Sequence, residues 1–337
     1  MEWALGIDTS NYTTSICALS MSTKVYIDAR KLLPVDQGER GLRQSDALFF
    51  HVQRLPLVMD DLMGKLRQEY DPHPQWTIVG VSVHPRPMAQ SYMPVFMAGR
   101  GFAETFTRAL GIQAFPVSHQ EGHLSAAEFF LDLPEGEPYR AIHLSGGTSD
   151  VLYAERTRFG YRIETVGEGA DLHAGQFVDR VGVALGLPFP AGPSLEALAK
   201  EDEHLIDLPA TDGSSETLFR LPSRVKGAQM SFSGPCSAAL RAIDQGIPAQ
   251  EIARAVQISI ANSLVKAIQY ALVQHPSTRH CIIAGGVASN QAIRRRVVHR
   301  LGILAPGLII HVPPARFASD NALGVANLAK QFHVRQT

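Results

Sequence analysis

The chain has 337 residues, 45% hydrophobic and 19% charged, which excludes a disordered chain and suits a soluble α/β protein of two domains or lobes. With 31 Lys and Arg against 32 Asp and Glu the net charge is −1, so no global positive field attracts nucleic acid; any RNA contact must be local, and Arg294-Arg295-Arg296 is the densest basic patch. The 3 cysteines share no metal or disulfide spacing, the opening M-E-W-A-L-G-I-D is no signal peptide, and no apolar run reaches spanning length, so a cytoplasmic protein without membrane contact is expected.

Trp3 to Ile7 is a short apolar run ending in Asp8-Thr9-Ser10-Asn11, and Thr14 to Leu19 is a second strand. Two strands joined by such a turn predict a β-hairpin whose tip can hold phosphate or a metal-bound phosphate, although an ordinary polar turn satisfies the same pattern. Asp8 and Ser10 at that tip are the candidate catalytic residues. Val25 to Leu33 reads as a third strand. Gly41 to Tyr70 carries Leu48, Val52, Leu55, Val58, Leu62 and Leu66 at helical spacing, predicting one helix, long or broken around Pro56. Ile78 to Val83 has a buried-strand pattern, His84 to Pro94 is a loop, and Val95 to Leu110 is a helix stopped by Gly111. This order implies an α/β layer with parallel pairs.

An apolar run, Ile112 to Val117, then leads into a helix, Gln120 to Leu131. Ser118 and Glu121 have the spacing of a capping box. His119 and His123 stand four apart, so a helix puts both imidazoles on one face, within reach of one metal ion. One capping and one surface imidazole fit the same spacing. Gln120 stands where a zinc-protease H-E-x-x-H has its glutamate, which argues against a metallopeptidase. A third ligand must come from elsewhere.

The second half repeats the opening. Ala141 to Leu144 is an apolar strand running into Ser145-Gly146-Gly147-Thr148-Ser149-Asp150, then strands at Val151 to Glu155 and Tyr161 to Val166. Two such units predict a duplicated α/β fold with a cleft between lobes, and the paired glycines let the backbone approach a ligand. Residues 167 to 180 open a helix, Leu172 to Leu185, followed by G-L-P-F-P-A-G-P-S-L-E. Acidic residues at 168, 171, 179 and 196 suit hydrogen bonding to a ribose or other hydroxyl-bearing ligand, while Asp179 on a solvated helix face is equally allowed. Residues 201 to 230 are polar and irregular and read as an inserted loop or flap. Phe232-Ser233-Gly234-Pro235 begins a helix, and Glu251 to Val273 is an amphipathic one. His280 to Ala284 is a strand followed by Gly285-Gly286-Val287-Ala288-Ser289-Asn290 and a helix to Arg300, a turn that exposes backbone N–H groups as an anion site. Ile309 to Val312 is another strand. Arg316 to Asn321 starts the final helix, and its Asp320 is the carboxylate to pair with the two histidines.

Taken in order, several segments resemble the motifs of one family. V-S-H-Q-E-G-H resembles N-H-x-x-G-H, L-S-G-G-T-S resembles V-S-G-G-H-T, and I-I-A-G-G-V-A-S-N resembles V-x-G-G-V-A-x-N. G-E-G-A-D-L-H-A-G-Q-F-V-D-R with G-L-P-F-P-A-G-P resembles G-E-T-x-D-D-A-A-G-E-A-F-D-K with G-L-x-Y-P-G-G-P, and R-F-A-S-D-N-A resembles R-x-C-T-D-N-A. These are the motifs of the tRNA N6-threonylcarbamoyladenosine synthases, the TsaD-like family once labelled glycoprotein endopeptidases. The resemblance runs from residue 3 to residue 330. It implies a two-lobed actin/hexokinase/Hsp70-type (ASKHA) fold with a nucleotide cleft. The lobes are expected at 1–118 and 119–324, the second carrying the metal and nucleotide motifs with an insertion at 201–230, and the last helix, 325–337, packing back on the first.

The resemblance implies that His119, His123 and Asp320 bind one iron or zinc ion. It implies substrate-binding positions at Leu144, Ser145, Gly146, Gly147, Thr148, Asp179, Gly192, Glu196 and Asn290, beside the Gly285-Gly286 turn. The expected ligand is an adenine nucleotide (ATP, ADP or AMP) or threonylcarbamoyl-AMP. The expected reaction is metal-dependent transfer of the threonylcarbamoyl group to N6 of adenosine 37 in tRNA. Expected partners are tRNA, TsaB-like and TsaE-like proteins, and a second chain, like or unlike, in a dimer.

The departures from the family are specific. The family's E-T-S-C-D-D/E-T is here Asp8 to Thr14, with Tyr12 and Thr13 in place of the acidic pair. Its G-P-G-x-x-x-G-L-R-x-G is replaced by a stretch that begins His84-Pro85-Arg86-Pro87-Met88, the Lys of F-S-G-L-K-T-A is Cys236, and the His after Ser-Gly-Gly is Thr148. These are marks of a divergent paralogue. The alternatives are therefore a carbamoyltransferase for another acceptor and a non-catalytic nucleotide-binding partner or scaffold.

Overall fold

The computed structural model describes all residues except 11, 35–41, 89, 132, 134, 135, 200–217, 318 and 337. The chain forms two compact units, Met1–Gly136 with Arg156–Arg162 and Asp320–Thr337, and Glu137–Glu155 with Ile163–Ser319.

The first unit is built on a five-stranded sheet. β1 (Glu2–Asp8), β2 (Thr13–Ser20) and β3 (Tyr26–Leu32) form an antiparallel meander, and β4 (Gln75–His84) and β5 (Gln113–Ser118) extend it in parallel beyond β1. β2 is buried at every position and β1 at all but the first, so neither shows the alternation of a half-solvated strand. On one face Trp3, Leu5 and Ile7 pack with Leu55, Val58 and Leu62 of α1 (Gln44–Glu69) and Ala103 of α2 (Phe96–Leu110). α1 runs unbroken through Pro56, and α2 ends at Gly111 in the left-handed conformation.

The other face carries the last helix. A Cβ on Gly6 would stand 2.6 Å from the Ala326 nitrogen, and one on Gly80 would stand 2.5 Å from the Val325 carbonyl oxygen. Glycine in these two central strands is what lets the final helix lie this close to the sheet. α3 (His119–Glu128), which follows β5, packs on the same helix. The unit boundary therefore falls after Gly136 rather than after 118, and the paired histidines belong to the N-terminal unit rather than to the C-terminal one.

The second unit has the same sheet again. β6 (Tyr139–Leu144), β7 (Ser149–Thr157) and β8 (Gly160–Gly167) are its first three strands. The short hairpin β9 (Arg224–Lys226) and β10 (Gln229–Ser231) stands apart as its own two-stranded sheet. β11 (His280–Ala284) and β12 (Ile309–His311) complete the order β12-β11-β6-β7-β8, with β6 and β7 antiparallel and β11 parallel to both its neighbours. Read outward from the first strand, order and directions match those of the N-terminal sheet, so the duplication seen in the two turns extends through the whole sheet.

Helices α4 (Ala174–Ala184), α5 (Gly192–Leu198), α6 (Ser233–Asp244), α7 (Ala249–Gln274) and α8 (Gln291–Leu304) build the second core, and α9 (Leu323–Val334) is the final helix already placed on the first sheet. Among the described residues α7 alone is long and apolar enough to cross a membrane, and its Ile252, Val256, Ile260, Leu264 and Ile268 are core residues. Arg140, fully buried on β6, closes the C-terminal end of α7: its guanidinium donates to the Thr278 carbonyl at 2.6 Å and to the carbonyl of His275. The β9–β10 hairpin stands where the sequence suggested only an irregular insertion, and α5 forms in a stretch to which the sequence assigned no element. The earlier part of that insertion, 201–217, lies outside the described residues. The basic triplet is not one surface patch, because Arg296 is buried and its Nε donates to Asn262 Oδ1 at 2.8 Å.

Candidate metal centre

The site begins with a helix start. Ser118, the last residue of β5, caps α3: its Oγ accepts from the Glu121 N–H at 3.2 Å, and Glu121 Oε2 accepts from the Ser118 N–H at 2.9 Å. This capping box makes His119 the first residue of the helix and sets His123 one turn later on the same face. Their Nε2 atoms lie 2.9 Å apart, and Asp320 Oδ1 lies 3.6 Å from the first and 3.5 Å from the second. The side chains are 12%, 6% and 20% exposed, so the cluster is largely buried.

Donor atoms that share an ion at about 2 Å must stand about 3 Å apart, and these three do. Two imidazoles and one carboxylate suit a divalent transition metal. Among the described residues no other group of three metal-ligating side chains converges in this way.

Asp320 reaches the histidines because two helices touch through glycine. A Cβ on Gly324 would overlap the Gly122 carbonyl and stand 2.5 Å from the Ala126 nitrogen, and a Cβ on Gly122 would stand 3.0 Å from Val325 Cγ2. Glycines inside helices cost about 1 kcal/mol each against alanine, and close packing is what requires them here. The sequence carries this signal as Gly122 and Gly324 within two helical segments.

Behind His119 stands Asp8, at the end of β1 and 1% exposed. Its Oδ2 is 2.9 Å from His119 Nδ1 and accepts from Ser10 Oγ at 3.0 Å. Of the two candidate catalytic residues of the first turn, Asp8 thus meets the imidazole from the rear and Ser10 meets Asp8, a link between distant segments that spacing alone could not reveal. Burial opposes a charge on His119, but the Asp8 carboxylate and its hydrogen bond, with Asp320, outweigh it and raise the imidazole to about 9. Burial, and then the charge of His119, push His123 down.

The glycine turns lie in the second unit. After β6, Ser145 Oγ accepts from the N–H groups of Gly147 and Thr148 at 3.2 and 3.1 Å, so the turn is closed on its own hydroxyl. Thr148 Oγ1 is 2.6 Å from Ser145 Oγ and 3.4 Å from His143 Nδ1. Gly175, in the first turn of α4, has no room for a Cβ, which would stand 2.6 Å from Gly146 Cα. Gly285 follows β11 with φ 104, and a Cβ there would stand 2.5 Å from the Leu144 carbonyl carbon. The backbones of Leu144, Ser145, Gly146, Gly175 and Gly285 are thereby packed closely together, while a Cβ on Gly146, Gly147 or Gly286 would meet no atom within 4 Å.

The remaining predicted residues are engaged within the unit. Asp179 Oδ1 accepts from the Ala191 N–H at 2.8 Å, just before Gly192 opens α5, and burial pushes this carboxyl up. Glu196 Oε1 accepts from the Gln291 N–H at 2.8 Å, and Asn290 Oδ1 accepts from Ile293 at 3.0 Å. The anion held at the N-terminus of α8 is thus the chain's own Glu196. Asp171, one of the acidic residues read as ribose partners, instead ties α4 to α6, accepting from the N–H of Phe232 at 2.9 Å and from the hydroxyls of Ser231 and Ser233. Burial works against its charge, but these donors prevail and lower it to about 2.

Comparison with known proteins agrees with this architecture. The chain resembles T. kodakarensis HypF in structure (TM-score 0.59, 12% identity, 99% of this chain and 48% of that one), at the level of the actin/hexokinase/Hsp70-type fold. It is 29% identical over 338 residues to the tRNA N6-adenosine threonylcarbamoyltransferase of Thermus thermophilus, covering 99% of this chain and 94% of that one. It is 29% identical over 277 residues to the enzyme of that name from Lacticaseibacillus casei, covering 80% and 74%. The family model for tRNA N6-adenosine threonylcarbamoyltransferase matches residues 93–327, from before α2 into α9, and the chain belongs to that family of transferases, TsaD.

Proposed function

We propose that the protein transfers a threonylcarbamoyl group from threonylcarbamoyl-AMP to N6 of adenosine 37 in tRNA, with one iron or zinc ion held by His119, His123 and Asp320. The observation that carries the reading is the convergence of those three side chains, two set four residues apart on one helix and one supplied by a late turn, in a chain of this family. A divalent ion bound there supplies Lewis-acid polarisation of an acyl carbonyl. The two histidines and Asp320 bring their donor atoms together, and Asp8, itself bonded by Ser10, holds the other ring nitrogen of His119.

The turns at Ser145 to Thr148 and at Gly285-Gly286 support an adenine nucleotide as the second ligand. Their glycines bring backbone within reach of a flat or anionic group, and among the described residues no atom lies within 4 Å of a Cβ placed on Gly146, Gly147 or Gly286. Acceleration then rests on orientation and on fixed dipoles rather than on a nucleophilic side chain. TsaB-like and TsaE-like partners, tRNA contact over a local surface, dimer formation and a cytoplasmic location follow from the same reading.

A second reading keeps the site and changes the acceptor. It is favoured by Cys236, which puts a buried core residue where the family carries a lysine. The deciding experiment is complementation of a strain depleted of its own synthase, with all partner proteins present and the modified nucleoside measured by mass spectrometry. Restored nucleoside supports the tRNA reaction. Its absence, with folded and metal-loaded protein, leaves carbamoyl transfer to another acceptor or a non-catalytic role.

A further inference from the structure

We propose that Asp8 is the positioning residue of the metal centre: it takes the Nδ1–H of His119 and so fixes Nε2 of that ring as the ligand. The inference rests on the metal reading of the histidine pair and goes beyond it in naming what holds the first ligand in place. The two nitrogens of the imidazole lie on opposite edges of the ring. Nδ1 is 2.9 Å from Asp8 Oδ2, and Nε2 is 2.9 Å from His123 Nε2 and 3.6 Å from Asp320 Oδ1. One edge is committed to a carboxylate and the other to the metal donors.

Asp8 is well placed for this and poorly placed for direct chemistry. It is 1% exposed, and Ser10, which donates to the same Oδ2 at 3.0 Å, is fully buried. Its backbone is held in the β1–β2 ladder opposite Ser15. The next residue is anchored too: Thr9 Oγ1 donates to the Val95 carbonyl at 3.0 Å and accepts from the Gly99 N–H at 3.2 Å. The carboxylate thus sits on a rigid strand end braced against α2. A metal-bound imidazole that donates its other N–H to a carboxylate is fixed in tautomer and orientation and is a more basic ligand, and loss of such a partner costs about 10- to 100-fold in metal affinity.

The test is zinc affinity, measured by chelator competition on the full-length protein, for wild type, Asp8→Asn, Asp8→Ala and Ser10→Ala. Asp8→Ala should bind zinc about 10- to 100-fold more weakly. Asp8→Asn should lose less, since its amide oxygen still accepts but carries no charge, and Ser10→Ala should lose least. In the zinc-loaded wild type the His119 Nδ1–H should give a hydrogen-bonded proton resonance that moves in Asp8→Asn and is lost in Asp8→Ala, while the His123 ring signals stay in place. A merely structural Asp8 would not move that resonance selectively. Should Asp8→Ala fail to fold, the isosteric Asp8→Asn decides. Wild-type zinc affinity together with an unshifted His119 resonance in folded Asp8→Asn overturns the proposal. Because the readouts are binding and a ring proton, failure of the transferase reading would leave them unchanged.

Discussion

The turn after β1 and the turn after β6 occupy the same place in two copies of one sheet topology, and they have gone different ways. The first ends in a buried carboxylate that meets an imidazole, Asp8 with His119 at 2.9 Å. The second holds a serine that closes the turn on itself and two glycines with open space over their Cα atoms. Duplication preserved the hydrogen-bonded frame, which every strand depends on, and left the turn tips free to diverge. One copy supplies ionic side chains and the other supplies bare peptide surface. The two segments that meet in the His119, His123 and Asp320 cluster are related as well: His119 and His123 follow β5, the last strand of the first sheet, and Asp320 follows β12, the last strand of the second.

The comparison is broken most severely by emptying the ionic site. His119→Ala combined with His123→Ala should remove about one bound ion per chain, seen by metal analysis, and lower transfer by orders of magnitude. If the division of labour is as described, calorimetry should find nucleotide affinity in the second unit nearly unchanged.

Gly324→Ala attacks the same site from the packing side. Its methyl has no room against the Gly122 carbonyl, so α3 and α9 must part. We expect a loss of about 1–3 kcal/mol in a denaturant titration, together with weaker metal retention as Asp320 moves off. Gly285→Ala is the matching probe of the other turn. Strain at φ 104 and overlap with the Leu144 backbone should cost about 1–3 kcal/mol, weaken nucleotide binding and leave metal content at the wild-type level.

These two glycines mark how far the sequence could be read. The strands and most helices were legible because apolar runs and glycine stops report local chemistry, and the capping box at Ser118 and Glu121 was legible because it is local as well. The grouping of His119, His123 and Asp320 was legible as a match of residue types at distant points of the chain. The Asp8–His119 contact was not, since nothing in either segment encodes its partner. The acidic residues misled for the same reason. Asp171 reads as a ligand group, but its partners, Phe232, Ser231 and Ser233, lie far along the chain and satisfy it internally. The unbroken α1 shows packing overriding a local breaker, with Leu55 and Val58 buried on either side of an exposed Pro56.

The smallest effect sharpens the reading of Asp171 as a tie rather than a ligand. Its carboxyl is lowered to about 2 from an ordinary 3.8, so its contribution is fully present above about pH 4 and is lost as pH falls toward 2. Asp171→Asn should cost about 1 kcal/mol or less, since the group is largely exposed. The difference in melting temperature between wild type and variant should shrink as pH is lowered from 4 to 2, and nucleotide affinity at neutral pH should be unaffected.

Closure of the first sheet by α9 has a consequence for biosynthesis. The strands and helices of the N-terminal unit leave the ribosome early, but the face bearing Gly6 and Gly80 stays uncovered until the final helix is made. Asp320 emerges after the entire second unit. During translation the nascent N-terminal unit therefore presents a bare apolar surface and an incomplete two-histidine site, a state in which chaperone capture and adventitious loading by the wrong ion are both favoured. Assembly of the His119, His123 and Asp320 cluster is in this way tied to synthesis of the segment that follows the second unit.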